Sequence, residues 1–226
     1  MLDPEQLLST VQTLRSRIEE RFPGSGLYAV CGDLVGVTES ARETCVAIAK
    51  PLWWLRVTVG AVIVAIIGGF ASALWLANPP ERLPGLMEFV QALEPGVNIV
   101  VLVGAAVFFL LTFETRIKRR RALVAINELR DLAHVIDVHQ LTKDPDCLII
   151  EGDDTASSPP RELTAYEMSR YLDYCSEMLA LVGKIAALYA PRIDDPVALA
   201  AVDGIESLTT SLSRKVWQKI TMLRSA

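Results

Sequence analysis

The sequence predicts an all-α fold: a two-span transmembrane helical hairpin joined to a cytoplasmic helical bundle or coiled coil built from N- and C-terminal helices. Two apolar stretches predict the hairpin, Val57 to Pro80 and Pro95 to Phe113, and neither contains an Asp, Glu, Lys, Arg or His. A bilayer span takes about 20 residues, with a lower limit of about 17. Neither stretch keeps the polar stripe of a soluble helix. Elsewhere apolar residues recur at steps of three and four, which predicts amphipathic helices.

The N-terminal region, residues 1–50, is predicted to form cytoplasmic helices. Asp3 followed by proline is a typical helix start, and a helix from Asp33 is expected to run towards the membrane, with a break at Pro51. No apolar segment typical of a secretory signal peptide is recognised at the start of the chain.

The hairpin is expected to occupy residues 53–113, with spans at about 55–77 and 96–113 and an outer loop at 78–95. Tryptophans precede the first span and recur near its end, about 32 Å further along a helix at about 1.5 Å per residue. That separation matches the hydrocarbon thickness, so the indoles are expected at both interfaces. The outer loop carries a short apolar stripe, which predicts an amphipathic helix on the outer interface.

Small residues recur every four positions inside the first span. Such a face lets two helix backbones approach closely in a membrane. The expected partner is either the second span of the same chain or a copy of the first span in another protomer. The residues of this predicted packing face are Ala61, Ala65, Gly69 and Ala73.

A basic cluster follows the second span, whereas Arg82 is the single Lys or Arg residue of the outer loop. Excess Lys and Arg mark the side that is not translocated, so both termini are expected in the cytoplasm of a multi-pass protein of the cell membrane, inner or plasma. The pattern of this cluster is explained by topology alone, and anionic lipid headgroups are a further candidate role for it. Its members are Arg116, Lys118, Arg119, Arg120 and Arg121.

Residues 114–141 are predicted to form a cytoplasmic helix continuous with the second span, a stiff lever between bilayer and cytoplasm. Asp131, His134 and Asp137 share one face of it at steps of three. This face is a candidate pH-sensing set, because His titrates near neutral pH, and the alternatives are structural hydrogen bonding or a solvated face. Residues 142–163 then read as an acidic linker, and its apolar run at 147–150 is expected either to pair as a short strand or to pack on the bundle.

The C-terminal region, residues 164–226, predicts a helical pair that joins the cytoplasmic bundle. Thr164 and Glu167 have the spacing of a capping box. Near-heptad stripes on two helices with a short connection predict antiparallel packing. Trp217 lies beside the stripe, as a core residue or as an interface anchor. The predicted bundle interface consists of Val202, Ile205, Leu212, Val216, Trp217 and Ile220.

No catalytic motif, metal-ligand spacing or cofactor fingerprint is recognised, so a non-enzymatic protein without cofactor is expected. The net charge is −5, and no basic face broad enough for nucleic acid appears away from the membrane edge. The four cysteines have no CxxC spacing. The expected partners are the lipid bilayer and either further copies of the chain or a cytoplasmic protein.

Two function classes remain. The first is a membrane scaffold or signalling adaptor that presents the bundle for self-association or partner binding. The alternative is a subunit of an oligomeric ion channel or pore, with Asn98 and Thr112 as its polar wall and Phe108 with Phe109 as a hydrophobic gate.

Overall fold

A computed structural model describes residues 2–76, 86–149, 156–157 and 163–225. All regular secondary structure in these residues is helical, which confirms the all-α part of the predicted fold. The helices are α1 (Pro4–Arg21), α2 (Gly26–Ala49), α3 (Trp53–Leu76), α4 (Leu86–Leu141), α5 (Asp146–Ile149), α6 (Ala165–Ala187), a 3-10 turn (Ala190–Arg192) and α7 (Pro196–Ser225).

Helix starts follow local side-chain chemistry. The Asp3 carboxylate accepts from the N–H of Glu5 at 3.0 Å and begins α1. α2 begins at Gly26, earlier than the predicted Asp33, because the Ser25 hydroxyl accepts from the N–H of Tyr28 and caps the earlier turn. Thr164 and Glu167 form the predicted capping box at the start of α6.

α4 joins two segments that are predicted to be separate. It runs from Leu86 to Leu141 as one helix, so the predicted amphipathic segment after Leu86 and the second span belong to the same element, with Pro95 inside it. A proline in a helix removes one backbone hydrogen bond, which usually divides the element. Residues 77–85 of the predicted outer loop lie outside the described residues.

The chain divides into two compact units. The bundle unit comprises Met1–Ala49 and Arg119–Ala226, and the apolar unit comprises Lys50–Lys118. In the bundle unit α6 packs against α7, α1 packs against α2, and both α1 and α2 contact α6. Fully buried side chains from every long helix of this unit form its core, among them Ile18, Leu34, Ile48, Ile126, Ile136, Leu172, Leu179, Ile205 and Val216.

The apolar unit has the opposite character. Leu55 and Val59, near the start of α3, are buried, but the apolar side chains that follow are largely exposed, with Val64 and Val100 each 70% exposed. Two helices of the described chain could cross a membrane by length and composition, with apolar windows inside 26–69 and 96–148.

The described part of the linker contains a helix rather than a strand. Asp146–Ile149 form α5, and the Asp144 carboxylate accepts from the N–H of Asp146 at 3.1 Å. The strand interpretation of this run is therefore wrong for residues 147–149, and position 150 lies outside the described residues.

Candidate functional site

The predicted bundle interface on α7 lies mostly inside the protomer. Its apolar residues are between 0% and 4% exposed and face the core that α7 shares with α6, namely Val202, Ile205, Leu212, Val216 and Ile220. A partner therefore does not reach this seam while the bundle is folded. Trp217 differs, because its side chain is 52% exposed. The interpretation of Trp217 as a core residue is wrong, and its alternative role as an interface anchor stays a prediction.

α6 and α7 approach each other closely at a glycine that the sequence analysis did not single out. A Cβ atom at Gly183 would lie 3.0 Å from the Thr209 hydroxyl oxygen. The Thr209 hydroxyl donates to the carbonyl of Ile205 at 2.9 Å, which satisfies a buried polar group inside its own helix. The absence of a side chain at Gly183 therefore sets the spacing of the two helices.

An ion pair between a partly exposed arginine and a buried aspartate joins α4 to the start of α7. The Arg119 guanidinium donates from Nε to the Asp195 carboxylate at 2.6 Å, and the Asp195 side chain is 3% exposed. The other carboxylate oxygen accepts from the N–H groups of Val197 and Ala198, both at 3.1 Å, as a helix N-cap.

These contacts also set the ionisation of Asp195. Burial by itself would raise the pKa of the Asp195 carboxyl, but the backbone N–H of Ala198 and the guanidinium of Arg119 outweigh that effect. The net result is a pKa below the ordinary value. The ionised form of Asp195 is therefore the form that the fold stabilises.

The predicted basic cluster is split by its surroundings. Arg119 is engaged by Asp195, and the Lys118 ammonium lies 2.9 Å from the Glu114 carboxylate. The side chains of the remaining members, Arg116, Arg120 and Arg121, are exposed. The headgroup prediction therefore centres on these three, and it stays a prediction.

The predicted pH-sensing face is only partly structured. Asp131 and His134 are exposed, whereas Asp137 is half-buried and accepts from the Gln140 side-chain amide at 2.7 Å. The histidine that makes a tertiary contact is His139, because a Cβ atom at Gly26 would lie 2.8 Å from its Nε2. The spacing along α4 predicts a shared face that includes His134. The structure instead packs the other histidine, His139, against the start of α2.

A lysine of α7 holds the end of α4. The Lys219 ammonium donates to the carbonyls of Gln140 at 2.8 Å and Lys143 at 3.1 Å. Carbonyls at the C-terminal end of a helix lack partners within it, so a cation there satisfies them and complements the helix dipole. Burial lowers the pKa of Lys219 from its ordinary value.

The small-residue face of the first span is open. Ala61, Ala65 and Gly69 are exposed, and a Cβ atom at Gly69 would meet nothing within 4 Å. The side chain of Ala73 lies outside the described set. On the second span, the Thr112 hydroxyl donates to the carbonyl of Phe108 at 2.7 Å, so its hydrogen bond is made within its own helix.

Within the described ranges, no three His, Cys, Asp or Glu side chains lie together in a way that could hold a metal ion. The chain matches no known protein family, no curated protein and no solved structure. Function is therefore inferred from the geometry of the chain itself.

Proposed function

We propose that the protein is a non-enzymatic integral membrane scaffold or signalling adaptor. The two apolar helices anchor it in the bilayer, and the bundle unit serves self-association or the binding of a cytoplasmic protein. The observation that carries this proposal is the contrast in burial between the units: apolar side chains fill the core of one and cover the surface of the other.

Lipid is the environment that suits the apolar unit. Val64, Val100 and Phe108 are each at least 70% exposed. Apolar surface in contact with water costs about 25 cal/mol per Å², so helices of this kind favour hydrocarbon. Trp53 and Trp54 are 70% and 60% exposed at the start of α3, which suits side chains at a membrane interface.

The basic residues support cytoplasmic termini. Arg116, Arg120 and Arg121 are exposed, and they follow the second apolar stretch directly. Cations at this position favour retention on the cytoplasmic side and suit anionic headgroups, each contributing about 1 kcal/mol near the surface.

The mass of the full chain in lipid nanodiscs tests the scaffold proposal. We expect native mass spectrometry to give a monomer or a dimer. With two apolar helices per chain, an assembly of that size has too few helices to enclose a pore. A closed ring of four or more copies that passes ions across liposomes would overturn the scaffold proposal in favour of a pore.

Self-association through the first span is tested by a leucine at Gly69. The space beside Gly69 is open in the protomer, so Gly69→Leu fits within one chain but blocks close approach of a second. A dimer that this face holds is expected to dissociate. Gly60→Leu is the matched control, because a Cβ atom at Gly60 also meets nothing within 4 Å, and at about 3.6 residues per turn Gly60 lies on the opposite side of α3 from Gly69. Equal masses for both variants would remove this face from the proposal.

A further inference from the structure

A long groove lies between α6 and α7 on the surface of the bundle unit. The α6 side presents small residues at helical spacing, Ala180, Gly183 and Ala187, and the α7 side presents Thr210, Ser213 and Trp217. Because the floor is made of small side chains, another helix could approach to the usual interaxial distance of about 8–10 Å.

The size of the groove suits a helix more than a small molecule. Its volume is about 1290 Å³, whereas small-molecule sites usually enclose about 300–1,000 Å³. Along α7 its lining extends from Glu206 to Met222, about 24 Å at about 1.5 Å per residue. That length matches a helix of about four turns.

Exposed side chains at one end of the groove have the properties of interface anchors. Trp217 is 52% exposed and Met222 is 41% exposed. Tryptophan dominates many interfaces, and methionine adapts its shape to different partners. The Arg224 guanidinium lies 6.0 Å from the centroid of the Trp217 ring, so the anchor itself carries an adjacent positive charge.

The charge of the groove opposes that of the chain. Its charged lining residues are Lys184 and Arg214 against Glu206, whereas the whole chain has a net charge of −5. A groove-to-groove contact between two copies would bring together two surfaces with a net positive charge, which disfavours a second copy as occupant. A ligand with negative charge flanking an apolar face would complement both features.

We propose that the groove between α6 and α7 binds an acidic amphipathic helix of a cytoplasmic partner protein. The apolar face of that helix packs on the small-residue floor and Trp217, and its carboxylates pair with Lys184 and Arg214. This inference rests on the proposed scaffold function and names the class of its partner.

The test uses the full chain in nanodiscs and fluorescent 16-residue peptides. One peptide has leucines at helical spacing on one face and glutamates on the other. A second replaces its glutamates with lysine, and a third scrambles the acidic sequence. By fluorescence anisotropy, we expect the acidic amphipathic peptide to bind at least about tenfold more tightly than either control, as hot-spot contacts typically produce.

Two variants, each paired with a control variant, locate the binding. Lys184→Glu combined with Arg214→Glu should reverse the preference from the acidic to the basic peptide, whereas Lys215→Glu, on the neighbouring exposed position outside the groove lining, should leave it unchanged. Trp217→Ala should weaken the binding of the acidic peptide about tenfold. Val138→Ala, at an exposed apolar position on α4, should leave that affinity unchanged. Unfolding midpoints that match the wild type confirm that each variant is folded.

Several outcomes would overturn the proposal: equal affinity for all peptides, an equal loss with Lys215→Glu, or a dimer that depends on Trp217 without peptide binding. A monomer or dimer that binds none of the peptides leaves the scaffold proposal standing and rejects this one. A conducting ring would reject the scaffold itself.

Discussion

In the bundle unit, apolar side chains point inward at steps of three and four, whereas in the apolar unit they cover exposed surface along both long helices. Leu179 on α6 is 0% exposed, and Leu102 on the second apolar stretch is 70% exposed. Both are leucines in the middle of a helix. The environment of an apolar residue therefore follows from the pattern of its helix. A helix with one apolar stripe packs that stripe against other helices, whereas a helix that is apolar on all sides suits lipid.

The largest expected effect separates the units by their cores. Leu179→Ala leaves a cavity in the bundle unit, and such a change typically costs about 2–5 kcal/mol of unfolding free energy. Leu102→Ala removes an exposed side chain, so we expect little change in the unfolding of the bundle. Urea unfolding followed by circular dichroism in nanodiscs measures both variants. Equal midpoints would mean that the two units do not differ in packing.

A charged residue tests which unit lies in lipid. Val64 in the first span and Val46 in α2 are both exposed, at 70% and 51%. Arginine at the centre of a membrane helix costs about 2.5–3.5 kcal/mol by insertion scales, so Val64→Arg should reduce the fraction of protein that resists alkaline extraction from membranes. Val46→Arg places the same charge on a bundle surface, and its membrane fraction should equal that of the wild type. Unchanged extraction of both variants contradicts a span at this position.

The ion pair between Arg119 and Asp195 gives the next effect. Arg119→Ala leaves a buried carboxylate without its guanidinium, and loss of a hydrogen bond to a charged group typically costs about 1.5–3 kcal/mol. Asp195→Asn should cost less, because its side chain still caps α7. Thermal unfolding of the bundle measures both changes. A larger loss for the asparagine variant would contradict this division of roles.

This ion pair also predicts how stability depends on pH. The folded-state pKa of Asp195 is lowered, so its contribution is complete above the ordinary carboxyl pKa of about 3.9 and is lost as the pH falls through the folded-state value. As the pH falls from 5 to strongly acidic conditions, the urea midpoint of unfolding should therefore decrease more for the wild type than for Asp195→Asn. Parallel acid profiles of the two proteins would exclude this linkage.

The smallest predicted effect is local to the start of α6. Thr164→Ala removes the hydroxyl that accepts from the N–H of Glu167 at 3.2 Å, and loss of such a cap typically costs about 1 kcal/mol. Thr13→Ala is the control, since that hydroxyl donates to a carbonyl within α1 at an exposed position. Equal unfolding midpoints for the two variants would show that the capping box is dispensable.

Local chemistry in the sequence predicts the all-α class, two helix starts and the buried stripe of α7. The cap at Asp3, the capping box at Thr164 and the buried stripe from Val202 to Ile220 all depend on residues within a few turns of each other, so spacing alone reveals them. The ion pair of Asp195 could not be predicted, because Arg119 lies 76 residues away in the sequence. From the sequence alone, Arg119 belongs with its neighbours to the basic cluster at the membrane edge.

Other differences have the same origin. Trp217 sits one position from the buried Val216, and only the packing of α6 decides that the indole stays outside the core. The groove was not predicted either, since its α6 side includes Ala180 and Ala187, whose importance is the space that they leave. The space between two helices depends on how they pack, so the pattern of residues along one helix does not predict it.

The side of the membrane reached by each segment tests the central claim most directly. Three native thiols are expected to react little with maleimide, because they are buried and burial raises their pKa. Burial raises the pKa of Cys31 to about 11 and that of Cys175 to about 12, and it also raises the pKa of Cys45. Replacing the partly exposed Cys147 with serine therefore gives a quiet background for single cysteines.

In that background, Arg82→Cys and Ser225→Cys are labelled in intact cells with a membrane-impermeant maleimide. A two-span anchor with cytoplasmic termini predicts that residue 82 reacts at once and that residue 225 reacts only after the membrane is permeabilised. Reaction of both cysteines from outside, or of neither before permeabilisation, would contradict the membrane hairpin and with it the scaffold that it anchors.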